Sequence, residues 1–154
     1  MAIWKNLAKR IVDSVTPDWV ISFANQVINE DFMKAFAGSC ALVVCADGVI
    51  EDSEVDKVKN YIQTNLKELK GYDTGVIMSH FMQYCDAISC DMGEGRARVY
   101  EALKEIKHDT QLSKLLVQIC CRIGEADGCF DAQEKQIVKD ICEQLNLHYR
   151  DFNL

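Results

Sequence analysis

An all-α domain of seven to eight helices is the fold this sequence predicts, and three observations carry the prediction. Apolar side chains recur at intervals of three and four residues through most of the chain. Strand-like alternation of apolar and polar residues is absent. Only one proline and eight glycines interrupt 154 residues that are 49% apolar, which is enough for one domain with a real core and cramped for two.

Taken in order, the first segment, Ile3–Ser14, places Trp4, Leu7, Ala8 and Ile11 on one face, opposite Lys5, Lys9 and Arg10. A helix of this kind either packs on the protein body or lies on a membrane surface. Thr16-Pro17 opens the next helix with a capping hydroxyl and a proline in the first turn, followed by Trp19, Val20, Phe23, Ala24 and Val27. Residues 1–30 are therefore read as N-terminal amphipathic helices packing on the body, and 31–154 as the main helical domain. Phe32, Ala35, Phe36, Cys40 and Val43 form the buried face of a helix that precedes an acidic loop, and Val58, Tyr61 and Ile62 belong to the helix after it. Further helices are predicted from about Thr74 to Ser89, carrying Val76, Ile77, Phe81, Tyr84 and Ile88, and from about Glu94 to Lys107, carrying Val99, Leu103 and Ile106. The segment Asp91-Met92-Gly93-Glu94-Gly95 separates these two.

The last third of the chain repeats an earlier part at an offset of eighty residues. Ala46-Asp47-Gly48-Val49-Ile50-Glu51 stands over Ala126-Asp127-Gly128-Cys129-Phe130-Asp131, and Glu54 over Glu134. The match spreads outward. Phe32, Ala35, Phe36, Cys40 and Val43 stand over Leu112, Leu115, Leu116, Cys120 and Ile123, and Val58, Tyr61 and Ile62 over Val138, Ile141 and Cys142. Two helix-loop-helix halves related by an internal repeat are the architecture this predicts.

Composition narrows the function. Residues 1–35 carry four basic and four acidic side chains, so the whole net charge of −7 falls on the acidic remainder. Binding to nucleic acid phosphates is disfavoured, and cations or basic partners suit the chain better. Eight cysteines would suggest disulfides in a secreted domain, but Met1–Lys9 lacks the pattern of a signal peptide, so the expected location is the cytoplasm. No stretch approaches the length of a membrane-spanning helix. Cys40 and Cys45, and Cys85 and Cys90, are five apart, and Cys120 adjoins Cys121. None of this is zinc-site spacing, and the thiols are read as reduced, small apolar fillers. His80, His108 and His148 lie far apart, and no phosphate-binding loop or nucleophile elbow occurs, so no enzyme is expected.

In each repeated loop the glycine lets the backbone turn, the apolar residue after it anchors the loop, and the final glutamate opens the next helix. Asp131 with Glu134 is a capping box by type, apart from aspartate replacing serine or threonine, and Glu51 with Glu54 is a weaker version. Asp47–Glu54 and Asp127–Glu134 also coincide with the second two-thirds of a calcium EF-hand loop. The first and third ligand positions would be Val43 and Cys45 in one copy and Ile123 and Glu125 in the other, so the EF-hand is incomplete in both. What remains is half a coordination sphere of carboxylates. Waters or acids from another segment could complete it, and hard oxygen donors suit calcium, magnesium or manganese better than zinc.

The duplicated Ala-Asp-Gly loops, the Asp91 and Gly93-Glu94-Gly95 segment and the ending Leu145-Asn146-Leu147-His148-Tyr149-Arg150-Asp151-Phe152 together resemble the tellurite-resistance TerB family, over about Phe32 to the C-terminus. The resemblance implies an all-helical fold with pseudo-twofold halves and an acidic cluster that binds a metal ion. Residue by residue, that cluster falls on Asp47, Glu54, Asp127 and Glu134, with Glu51 and Asp131 as secondary candidates and Asp91 and Glu94 as possible further members. It also implies a bacterial stress system with other tellurite-resistance proteins as partners, one of them embedded in the membrane, and thus a position peripheral to the inner membrane. The resulting expectation is a non-enzymatic, divalent-cation-binding helical module. The alternative is a pure interaction scaffold whose acidic loops only cap helices.

Overall fold

The computed structural model describes residues 29–45, 56, 59–60, 73–125 and 132–154. Among these residues the chain is all-helical, with five α-helices and one short 3-10 helix and no strand: α1 (Glu30–Val44), α2 (Thr74–Cys90), α3 (Met92–Lys104), α4 (Thr110–Glu125), α5 (Ala132–Gln144) and the 3-10 segment Tyr149–Phe152. The predicted helices of residues 1–28 and the faces built on Val58, Tyr61 and Ile62 lie outside the described residues.

α1 is the hub. Its sequence is apolar on nearly every side, and a helix of that kind is stable only when neighbours surround it. All but four of its fifteen residues are buried, and α2, α3, α4 and α5 all pack against it. Phe32 and Phe36 stack with ring centroids 6.1 Å apart. A Cβ on Gly38 would come within 3.0 Å of Val99, so the missing side chain is what lets α3 approach α1. Buried Ser39 donates its hydroxyl to the Ala35 carbonyl at 2.9 Å, and buried Ser113 donates to Ile106 O at 3.1 Å, so neither is left unsatisfied.

The other helices are amphipathic. α2 buries Ile77, Phe81, Tyr84, Cys85 and Ile88, α3 buries Val99, Ala102 and Leu103, and α5 buries Val138, Ile141 and Cys142. Of the positions paired by the eighty-residue offset, Phe32, Ala35, Phe36 and Cys40 are buried, and so are Leu112, Leu115, Leu116 and Cys120. α5 stops in a Schellman motif: Asn146 takes φ 57°, Leu147 N–H bonds to Cys142 O at 2.9 Å, and Asn146 N–H bonds to Glu143 O at 3.2 Å.

Two boundaries differ from expectation. The segment Asp91–Gly95 is not a loop. α2 runs to Cys90 and α3 begins at Met92, with Asp91 alone between them. At its other end α3 stops at Lys104, and Ile106 is buried from the turn that follows.

Six of the seven described cysteines (Cys40, Cys45, Cys85, Cys120, Cys121 and Cys142) are buried, as small apolar fillers should be, whereas Cys90 is exposed. Cys129 lies outside the described residues. Burial pushes the Cys40 and Cys120 thiols far above the usual range and Cys142 up to about 12. No described helix is long and apolar enough to cross a membrane.

Candidate functional site

Acidic and amide side chains open four of the five helices. Asn29 accepts from Phe32 N–H at 2.8 Å, Asp73 from Val76 N–H at 3.1 Å, Asp91 from Glu94 N–H at 3.1 Å and Asp109 from Leu112 N–H at 3.0 Å. Each cap satisfies one of the donors that a helix start leaves open and adds a favourable charge or dipole at the positive end. Part of the acidity of this chain is therefore occupied in holding helix starts.

Asp91, a possible cluster member, does two such jobs. Its backbone N–H closes α2 on the Ala87 carbonyl at 3.0 Å while its carboxylate opens α3. Glu94, the other, reaches along α3 to Arg98, with Oε1 2.8 Å from Nη2, and both side chains are exposed. Glu134 stands third in α5, where a capping box would place it, and is half-buried. Asp47, Glu51, Glu54, Asp127 and Asp131 lie outside the described residues.

The described acids do not make a cation site alone. Among the described residues no group of three or more His, Cys, Asp or Glu comes together in a way that could hold a metal ion.

α1, which precedes the first repeated loop, and α5, which follows the second, do meet. A groove of about 250 Å³ is lined by Leu42 of α1, by Met92, Arg96 and Tyr100 of α3, and by Gln133, Gln136, Ile137 and Asp140 of α5. Leu42 lies five residues before Asp47, Met92 adjoins Asp91, and Gln133 adjoins Glu134. In the chain, then, described residues of the groove wall stand within five positions of Asp47, Asp91 and Glu134. Within it, Gln136 Nε2 donates to Asp140 Oδ1 at 2.9 Å. Burial raises the Tyr100 hydroxyl above its usual range, and the Asp140 carboxylate adds to this while Arg96 opposes it.

Arg96, Tyr100 and Asp140 were not singled out by the sequence. A signal was present, since Arg96 and Tyr100, like Gln136 and Asp140, are four apart and share one helix face. Nothing local says that the two faces look at each other.

Asp91→Ala is expected to lower stability by about 1 kcal/mol in a denaturant melt, while Asp91→Asn, which caps equally well, leaves it within a few tenths. Equal losses in both variants would show that the carboxylate charge, and not the cap, is what the fold uses.

The family described as tellurite resistance protein TerB matches residues 33–154. No curated protein and no solved structure matches the chain.

Proposed function

The chain belongs to the TerB family of tellurite-resistance proteins, and from that premise we propose that it is a non-enzymatic helical module that binds a divalent cation at the groove end of the fold. One observation supports this more than any other: Leu42 near the end of α1, and α3 and α5 from their first turns into their later ones (Met92–Tyr100 and Gln133–Asp140), line a single groove. Asp47, Glu51 and Glu54 follow α1 in the chain, Asp127, Asp131 and Glu134 lead into α5, and Asp91 and Glu94 start α3. In this reading the internal repeat supplies two half-spheres of carboxylates, and neither loop holds an ion with its own few donors. Calcium, magnesium or manganese fits such hard oxygen ligands better than zinc. The bound ion neutralises part of the −7 charge and fixes the two loops relative to the groove. The module acts in a cytoplasmic stress-response assembly with other tellurite-resistance proteins, one of them in the inner membrane.

Calorimetric titration and thermal melts with calcium, magnesium, manganese and zinc test this. At a hundredfold excess over its dissociation constant, the preferred ion is expected to stabilise the fold by about 2.7 kcal/mol per site. Asp47→Asn with Asp127→Asn removes that gain and leaves the helical signal intact. An ion response that survives the double change would reject these loops as the site.

A scaffold reading is favoured by one specific observation, the use of Asp73, Asp91 and Asp109 as helix caps. If no divalent ion changes the melting temperature, the loops cap helices as these aspartates do, and the groove remains as a protein-binding surface.

A further inference from the structure

We propose that Cys45 and Cys85 form an oxidisable dithiol, a modification site for oxidants of the peroxide class. Cys45 closes α1, its N–H bonded back to Ala41 O at 2.9 Å, and Cys85 lies in the middle of α2. The Cys45 thiol donates to Cys85 Sγ at 3.8 Å, and each residue is 2% exposed. A disulfide needs the sulfurs about 2.0 Å apart, so from their present contact each has roughly an ångström to travel. The product also suits its surroundings. An S–S bond leaves no charge and no unsatisfied donor in the core.

The reaction balances with the oxidant alone. A peroxide, ROOH, transfers one oxygen to Cys45 Sγ and leaves as ROH, giving a sulfenic acid. Cys85 Sγ then attacks that sulfur. The S–O bond breaks, and the hydroxyl departs with the Cys85 proton as water. Overall the two thiols lose two electrons and two protons, and the peroxide O–O bond is reduced. Cys45 is the first target because it sits at a helix end, where fraying of the last turn admits the oxidant; Cys85, in mid-helix, acts as the resolving thiol. Burial makes the reaction slow and confines it to the opened state. Once formed, the bond pins the end of α1 to α2, directly ahead of Ala46-Asp47 in the chain. The proposal goes beyond the cation reading and does not depend on it.

The test uses the full chain carrying Cys90→Ser, which removes the exposed thiol among the described residues and its intermolecular products. After treatment with tert-butyl hydroperoxide, the protein is unfolded and alkylated. The expected result is a monomer about 2 Da lighter before alkylation, with two thiols protected, a peptide joining Cys45 to Cys85, and full reversal by dithiothreitol. Cys45→Ser and Cys85→Ser, each checked for an unchanged helical spectrum, should each abolish the protection. As a second measurement, diamide in mild urea, which promotes fraying, should speed formation of the same link several-fold. Complete alkylation after both oxidants, or a link between a different pair of cysteines, overturns the proposal.

Discussion

Raising the pH above 9 is expected to destabilise this protein steeply. A thiol has an ordinary pKa of 9.0, but burial raises Cys142 to about 12 and drives Cys40 and Cys120 further up. Cys85 is also raised, first by its hydrogen bond with Cys45 and then by burial. Each folded-state value lies above the unfolded one. The stabilising contribution is therefore complete below pH 9, where both states are protonated. As the pH rises, the unfolded chain gives up protons that the folded chain keeps, and the balance shifts towards unfolding. For a single thiol the loss is at most roughly 1.4 kcal/mol per pH unit, and the buried thiols all act in the same direction. Whole domains are stable by only about 5–15 kcal/mol. Circular dichroism melts between pH 7 and 11 should show a plateau to pH 9 and a steep fall beyond it. Cys120→Ala should make that fall shallower by one thiol's share, although it also lowers the plateau through lost packing. An unchanged slope would mean that these thiols ionise in place.

The second large effect is expected at Gly95. A Cβ there would lie 2.6 Å from the Ile88 Cα and 2.7 Å from its backbone nitrogen. Backbone atoms of α2 cannot rotate away as the end of a side chain can. Nor can the helices part easily, because Asp91 alone joins them and its bonds hold both helix ends. Gly95→Ala is expected to cost about 3 kcal/mol, the upper end for overpacking, and to lower the melting temperature by about 10 °C. Gly93 is the built-in comparison. Its added Cβ would meet only Asp91 Oδ1 at 3.4 Å, so Gly93→Ala should be neutral or stabilise α3 by up to about 1 kcal/mol. Equal effects at the two glycines would show that the α2–α3 approach is looser than the distance implies.

That pair of glycines also shows where sequence reading ran out. Gly93-Glu94-Gly95 reads as a connector, since two glycines within three residues weaken a helix. Yet Gly95 lies inside α3, and its lack of a side chain serves the contact with Ile88. The overshoot at the other end has a different cause. Ile106 keeps the apolar rhythm and is buried, but Glu105 N–H and Ile106 N–H bond to Ala102 and Leu103 three residues back, so the last turn tightens out of α geometry. The site divides in the same way. The acidic motifs and their glycines are local and could be named by number, as could the capping position of Glu134, whereas the cap at Asp91 emerged only with the two helices it joins. The meeting of Leu42, Arg96, Tyr100 and Asp140 around one groove joins residues up to almost a hundred positions apart, and no periodicity encodes it.

The amino-acid order by itself determined the helical class, the inward faces of the helices, the burial of most of the thiols and the family to which residues 33–154 belong, because each of these depends on side-chain type at fixed spacing along one helix. Tertiary structure alone decided that Cys45 touches Cys85, that Gly95 must have no side chain, and that α1, α3 and α5 share a groove. Those are contacts between helices, set by how close and at what rotation two packed surfaces settle, and the spacing within either helix leaves that choice open.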